Sequence, residues 1–124
     1  MSFGTLHSVW GYVAIGLCGL TGIWGLVLSR RPVLAKPFMI AMTVAVAAVL
    51  LQVLLGVLAI TLNDSTAGNQ HVFYGIVVSF TLAFAYIYRT QMAKRPNLSY
   101  GLLLLFVMGL GIRGIMTFGK SFGG

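Results

Sequence analysis

Acidic residues are almost absent from this chain. Asp64 is the single acidic residue among 124, glutamate does not occur, and charged residues make up 7% of the sequence. Soluble domains usually contain about a quarter charged residues. Paired carboxylates for general acid–base catalysis are therefore excluded, and no Ser/His/Asp arrangement has a plausible acid. Cysteine is equally scarce, because Cys18 is the only one and an intrachain disulfide is impossible.

Hydrophobic residues make up 59% of the chain, more than a soluble domain of this size can bury. Four apolar runs reach the length of about 20 residues that a helix needs to cross a bilayer. They cover about 9–28, 38–62, 71–88 and 100–118. None alternates like a membrane barrel strand. The prediction is a single all-α domain over 1–124, an up-down bundle of four transmembrane helices made of two similar hairpins. The first run lacks the basic start of a secretory signal, so we expect it to remain in the mature protein.

Basic residues are concentrated in two short connections. Six of the eight Lys and Arg residues fall there: Arg30, Arg31, Lys36, Arg89, Lys94 and Arg95. The positive-inside rule places these loops in the cytoplasm and puts the loop 63–70 and both termini outside. We expect an integral protein, in the bacterial plasma membrane, with the lipid bilayer as a partner. The net charge of +7 indicates sidedness and contact with anionic lipid heads rather than nucleic acid.

The sequence contains an internal repeat. A shift of 64 positions aligns "RRP" (30–32) with "KRP" (94–96) without a gap. The same shift aligns His7 with His71, Trp10 with Tyr74, and Gly11 with Gly75. Repeated hairpins of the same orientation imply a pseudo-two-fold axis along the membrane normal. The two histidines, the only ones in the chain, should then lie at the same depth near the outer face.

Two imidazoles facing each other across a bundle axis can bind one metal from opposite sides. In an up-down bundle the first and third helices can be diagonal neighbours, so His7 and His71 meet this condition. Zinc would want about four ligands, whereas an iron porphyrin needs only two axial ones. Gly11 and Gly75, one turn beyond each histidine, would let a flat ring lie against the backbone. The alternatives are interfacial histidines with packing glycines, or a chlorophyll-type pigment whose magnesium needs one histidine.

Other polar residues within the apolar runs extend this hypothesis. Arg113 lies inside the fourth run, where a charge is costly unless it serves a site or reaches water. It could bind a heme propionate, snorkel outwards beside Lys120, or pair with Asp64. Gln52 could bond another helix or a cofactor edge. Met116 is an alternative ligand.

Small residues and aromatic residues on the first run have simpler interpretations. Cys18 is expected to be a packing residue. The glycines at 16, 19 and 22 form a small-residue face that favours close helix contact, including contact with a partner protein. Trp10 and Tyr74 are interpreted as interfacial belt residues.

The chain resembles one four-helix half of the heme A synthase family. The shared features are His7 opening an inward helix, "QVLLG" (52–56) on the return helix, and His71 opening the next inward helix. Members of that family have a glutamate and commonly an arginine where this chain has Phe3 and Ser8. The resemblance therefore implies a heme-holding bundle without heme A synthesis. The chain is also similar to other bis-histidine cytochrome b-type bundles.

The functional prediction is a b-type heme protein that transfers electrons to or from a quinone or a neighbouring redox subunit. Other membrane subunits or further copies of the chain are expected partners. A non-redox accessory subunit, or a pigment-binding subunit, of a larger respiratory or photosynthetic complex is the alternative. A stand-alone enzyme is less favoured than either.

Overall fold

Helix accounts for 90% of the residues that the structure describes, which are 3–31, 36–62 and 68–118 of a computed structural model. Five helices occur within these ranges: α1 Phe3–Val27, α2 Lys36–Leu62, α3 Asn69–Ile87, α4 Arg89–Met92 and α5 Pro96–Met116. Four of them are long and apolar enough to cross a membrane, with spans at Phe3–Val27, Lys36–Leu62, Gln70–Ile87 and Pro96–Met116. The predicted all-α membrane fold is therefore confirmed.

The helices extend beyond the apolar runs at their N-terminal ends. α1 begins at Phe3, six residues before the predicted start, so His7 lies inside the helix rather than ahead of it. α5 begins at Pro96, whose fixed φ and missing N–H suit a first helical position. α3 follows Gly68, which has a φ of 79° that favours glycine. The helices continue through polar residues because each added helical hydrogen bond pairs a backbone N–H with a backbone C=O. Without it these groups would be unpaired near the bilayer.

α1 and α3 are diagonal to each other in the bundle, as predicted. α1 packs closely against α2 and α5, whereas α3 packs mainly against α5 and touches α2 only slightly. Within the described ranges α1 and α3 do not lie side by side. The core runs along the inner faces of the four long helices, and its buried members are Ala14, Cys18, Ala45, Ala48, Val49, Val78, Leu104 and Val107. Cys18 is 1% exposed, which confirms its expected packing role.

Glycines bring α1 and α5 into backbone contact. A Cβ added at Gly25 would lie 2.8 Å from the Cα of Gly101, and one at Gly22 would lie 3.0 Å from the carbonyl oxygen of Gly101. Farther along, a Cβ at Gly19 would lie 2.7 Å from the Met108 sulfur. The glycine face of α1 is thus filled by α5 at these positions, and the predicted contact with a partner protein is not needed to explain them.

Asn97 lies at one end of the contact between α1 and α5. Its side chain is fully buried, and its amide donates hydrogen bonds to the carbonyl of Leu28 at 3.1 Å and the carbonyl of Arg31 at 3.4 Å. Both carbonyls follow the last residue of α1, and the Leu28 carbonyl also accepts from the Arg31 N–H at 3.0 Å. The bonds tie the connection after α1 to the first turn of α5.

Candidate cofactor site

The two histidines meet at one end of the bundle. The ring centroids of His7 on α1 and His71 on α3 lie 5.8 Å apart, and the ring planes are at 84°. Metal–nitrogen bonds of about 2 Å put the nitrogens of two opposed imidazole ligands about 4 Å apart, with the centroids somewhat farther. Perpendicular planes are compatible with a shared metal, since each ring need only contain the metal in its own plane. The structure therefore brings the predicted pair together.

Each histidine is oriented by the return helix of its own hairpin. His7 Nδ1 donates to the carbonyl of Gln52 on α2 at 2.9 Å, and His71 Nδ1 donates to the carbonyl of Gly114 on α5 at 2.8 Å. A carbonyl oxygen only accepts, so Nδ1 carries the hydrogen and Nε2 keeps its lone pair. Histidines that bind metals typically have this arrangement, in which a backbone acceptor fixes the tautomer and the ring orientation.

Glycine makes room for the His7 ring, at a position that the sequence did not assign to the site. A Cβ added at Gly56 would lie 2.9 Å from His7 Cε1 and 3.1 Å from Nδ1. Gly11, expected to accommodate a flat ring, instead makes room for an amide, because its added Cβ would lie 2.7 Å from Gln52 Nε2. Gln52 and Gly56 are four residues apart on one face of α2, and this spacing was the available signal.

Gln52 joins α2 to α1, as one of its two predicted roles requires. Its Nε2 donates a long hydrogen bond of 3.4 Å to His7 Nε2, so the lone pair of that ring nitrogen already has a partner. Its Oε1 is buried and has no hydrogen-bond partner within the described part of the chain. Buried acceptors are usually paired, so this oxygen is an exception among the described residues.

The surroundings of His71 are more open. An added Cβ at Gly75 would have no described atom within 4 Å, apart from its chain neighbours and the backbone of its own helix. Gly114 is looser than Gly56, because its added Cβ would lie 4.0 Å from His71 Nδ1. The ring of Phe118 packs edge-to-face on His71 with a centroid distance of 5.2 Å. Space for a flat group thus lies on the α3 side of the pair.

A cavity of about 760 Å³ joins these residues. Its volume lies within the range of about 300–1,000 Å³ that is typical of cofactor sites. Both histidines line it, together with Gly11, Gln52, Gly56 and Gly75. Its deep end is apolar and closed by buried core residues, including Cys18 on α1. The cavity therefore has two imidazole rings toward one end and buried apolar side chains toward the other.

Arg113 lies beside the cavity rather than in its lining. Its side chain is exposed, and its Nε donates to the hydroxyl of Tyr74 at 3.3 Å. Tyr74 does line the cavity, so the guanidinium is one residue removed from it. The suggested partners Asp64 and Lys120 lie outside the described residues. Met116 is 59% exposed and is absent from the described lining, so it is not placed to act as a ligand.

Trp10 joins α1 to α2. Its indole N–H donates to the carbonyl of Ala48 on α2 at 2.8 Å, and its partly buried ring packs against the core. An indole that is partly buried needs one acceptor, and α2 offers it. The interpretation of Trp10 as an interfacial belt residue stays a prediction.

Among the described residues, no group of three or more His, Cys, Asp or Glu side chains is close enough to hold a metal ion. A zinc site with the usual four protein ligands is therefore not formed by these residues. A porphyrin differs because the macrocycle itself supplies four nitrogens. Comparisons with protein-family models, with curated proteins and with solved structures give no match.

Proposed function

We propose that this chain is an integral membrane electron-transfer protein that binds one b-type heme between His7 and His71. The matched hydrogen bonds from each Nδ1 to a backbone carbonyl carry the proposal, because they leave the hydrogen-free Nε2 of each ring as the candidate ligand. At His7 a metal would replace the long hydrogen bond that Nε2 accepts from the Gln52 amide. The separation of the rings and the size of the adjoining cavity support it.

The chain's own residues have separate roles in this proposal. Gly56 leaves space for the His7 ring, and the open surface at Gly75 accepts a flat macrocycle. The side-chain amide of Gln52 donates to His7 Nε2 and holds that ring in the site until a metal takes its place. Arg113, exposed and bonded to Tyr74, is the candidate partner for a propionate carboxylate. His7 and His71 would hold the heme, which when bound would supply one-electron redox chemistry.

The position of the site suggests the kind of partner. The histidines lie in the first two turns of α1 and α3, at one end of the bundle. One cofactor at one depth does not span the bilayer, so we propose exchange with a quinone or a neighbouring redox subunit. In this proposal the basic loops face the cytoplasm of a bacterial cell, and the site faces the opposite side.

Absorbance spectroscopy tests the cofactor directly. Reduced-minus-oxidised spectra would be recorded for the detergent-purified chain and for His7→Ala, His71→Ala and a Thr61→Ala control. Thr61 bonds only within its own helix, to the Val57 carbonyl. The proposal expects a sharp α-band in the wild type and the control, and its loss in each histidine variant. Circular dichroism would establish that the variants remain helical.

Other outcomes separate the alternatives. A colourless wild-type protein that stays colourless after heme is supplied would overturn the heme proposal and favour an accessory subunit. A far-red band that does not change on reduction, and that survives loss of one histidine, would indicate a chlorophyll-type pigment.

A further inference from the structure

A second groove lies between α2 and α3, toward the ends that carry the basic loops. Its volume is about 360 Å³. The apolar walls consist of Met42, Val46 and Leu50 on α2, Leu82 and Ala85 on α3, and Leu103 on α5. From Met42 to Leu50 the groove follows α2 for about 12 Å, at 1.5 Å per residue. Its length and lining suit part of an acyl chain.

The groove coincides with the weakest packing in the bundle. α2 and α3 touch only slightly, whereas α1 is closely packed against both of its neighbours. Wall atoms without a partner lose their dispersion contacts, and in a bilayer the available filler is lipid hydrocarbon. The span of α3 is only 6% buried inside the structure, compared with 39% for α1. α3 therefore has the most to gain from an ordered lipid.

A cation at the mouth of the groove selects the head group. Arg89 lines the groove and lies two residues beyond the apolar span Gln70–Ile87, where we expect lipid head groups. Its Nη1 donates to the carbonyl of Tyr86 at 2.7 Å, and its guanidinium lies 4.2 Å from the centroid of the Tyr86 ring. These contacts hold the side chain in place while leaving further N–H groups to bind a phosphate.

Charge around the groove has one sign. Lys94 and Arg95 follow Arg89 within six residues, and the only acidic residue of the chain, Asp64, belongs to the loop after α2. That loop follows Leu62, at the opposite end of α2 from Met42. Tyr86 and Tyr100 also line the groove, and tyrosine is typical of the membrane interface.

We infer that the groove binds one anionic phospholipid, with its phosphate on Arg89 and an acyl chain between α2 and α3. The bound lipid supplies the packing that α2 and α3 lack and steadies α3, the helix that carries His71. The site is separate from the histidine cavity, since no residue lines both.

Native mass spectrometry of the full chain tests this inference. The protein would be released from mixed micelles that contain equal amounts of phosphatidylglycerol and phosphatidylcholine. We expect one retained phosphatidylglycerol, preferred about tenfold over phosphatidylcholine, because a guanidinium–phosphate contact is a strong charge-assisted bond. Arg89→Gln should remove the preference. Lys94→Gln, which removes the same charge from an exposed position outside the described groove lining, should keep it within about twofold.

A second variant tests the apolar part. Ala85 is half-buried in the groove wall, so Ala85→Trp should fill the groove and abolish retention of both lipids. Equal losses in Arg89→Gln and Lys94→Gln would overturn the inference, since they would indicate general surface charge. Equal retention of the two lipids by the wild type, or undiminished retention by Ala85→Trp, would overturn it as well. None of these outcomes depends on the presence of heme.

Discussion

The two histidine-bearing helices make the same hydrogen bond but are held differently. α1 lies between α2 and α5 and has 39% of its span buried, whereas α3 rests mainly on α5 and has 6% buried. Gly56 and Gln52 lie close around His7, whereas an added Cβ at Gly75, one turn beyond His71, meets no described atom within 4 Å. A repeated pattern in the sequence thus gives one closely packed histidine helix and one loosely packed histidine helix.

The largest expected effect concerns the close contact between the glycines of α1 and the backbone of α5. A leucine at Gly25 would meet the backbone of Asn97 and Gly101 at 2.8 Å, and backbone cannot move aside cheaply. Gly25→Leu should lower the free energy of unfolding by about 3 kcal/mol, measured by denaturation in mixed micelles. Gly109→Leu on α5 is the control, because an added Cβ there meets no described atom within 4 Å. Equal stability of the two variants would contradict the tight packing of α1.

The next comparison concerns the two histidine pockets. Gly56→Ala places a methyl group against the His7 ring, whereas Gly114→Ala leaves 4.0 Å to His71 Nδ1. Heme titration followed at the Soret band should show about tenfold weaker binding for Gly56→Ala, since a displaced ring loses its ligand geometry. Gly114→Ala should stay within about twofold of the wild type. The opposite order would mean that His71, not His7, sits in the restrictive pocket.

A smaller difference is expected at Trp10 and Tyr74, which occupy equivalent positions in the repeat. Trp10→Phe removes a part-buried bond to the Ala48 carbonyl and should cost about 1 kcal/mol of the free energy of unfolding. Tyr74→Phe removes only the acceptor for the exposed Arg113 and should cost less than about 0.5 kcal/mol. Denaturation under one set of conditions checks both values. A larger loss for Tyr74→Phe would contradict the expectation that the exposed bond between Tyr74 and Arg113 contributes less than the Trp10 bond.

The smallest effect on folding is expected at Gly75. Gly75→Ala adds a methyl group where no described atom lies within 4 Å, and alanine favours helix over glycine by up to about 1 kcal/mol. Stability should therefore be unchanged or slightly higher. Heme affinity should nevertheless fall, because the methyl group enters the cavity. Unchanged heme binding would place the macrocycle away from this face of α3.

Part of the site could be predicted from the sequence. Residues at equivalent positions of two similar helical hairpins are expected at equivalent heights in the bundle. The spacing of the two hairpins put His7 and His71 at one depth, and the diagonal position of α1 and α3 put them on one axis. Gln52 was identified because an amide inside a membrane helix needs a partner. The boundaries were less accurate, since helices continue past the apolar residues on which the runs were defined.

Contacts between helices could not be predicted in the same way. Gly11 and Gly75 are equivalent in the sequence, yet one adjoins the amide of Gln52 and the other faces a cavity. The roles of Gly56 and Trp10 depend on which face of α2 approaches α1, and helix periodicity does not specify a neighbour. The sequence predicted the correct end of the bundle for Arg113, but in the structure its side chain lies on the exposed side of α5. Successive residues of a helix point about 100° apart, so Arg113 points away from the direction of Gly114.

Composition and register by themselves determined that the chain is a bundle of four membrane helices with two histidines in matched positions. The apolar composition determines that the chain lies in lipid, and the lengths of the apolar runs determine the number of membrane spans. Neither property depends on how the helices pack. The tertiary structure alone decided which backbone carbonyl accepts from the Nδ1 of each histidine, which glycine leaves room for the His7 ring, and where α2 and α3 separate. These features depend on distances of a few ångströms between helices, which the order of residues along one helix does not encode.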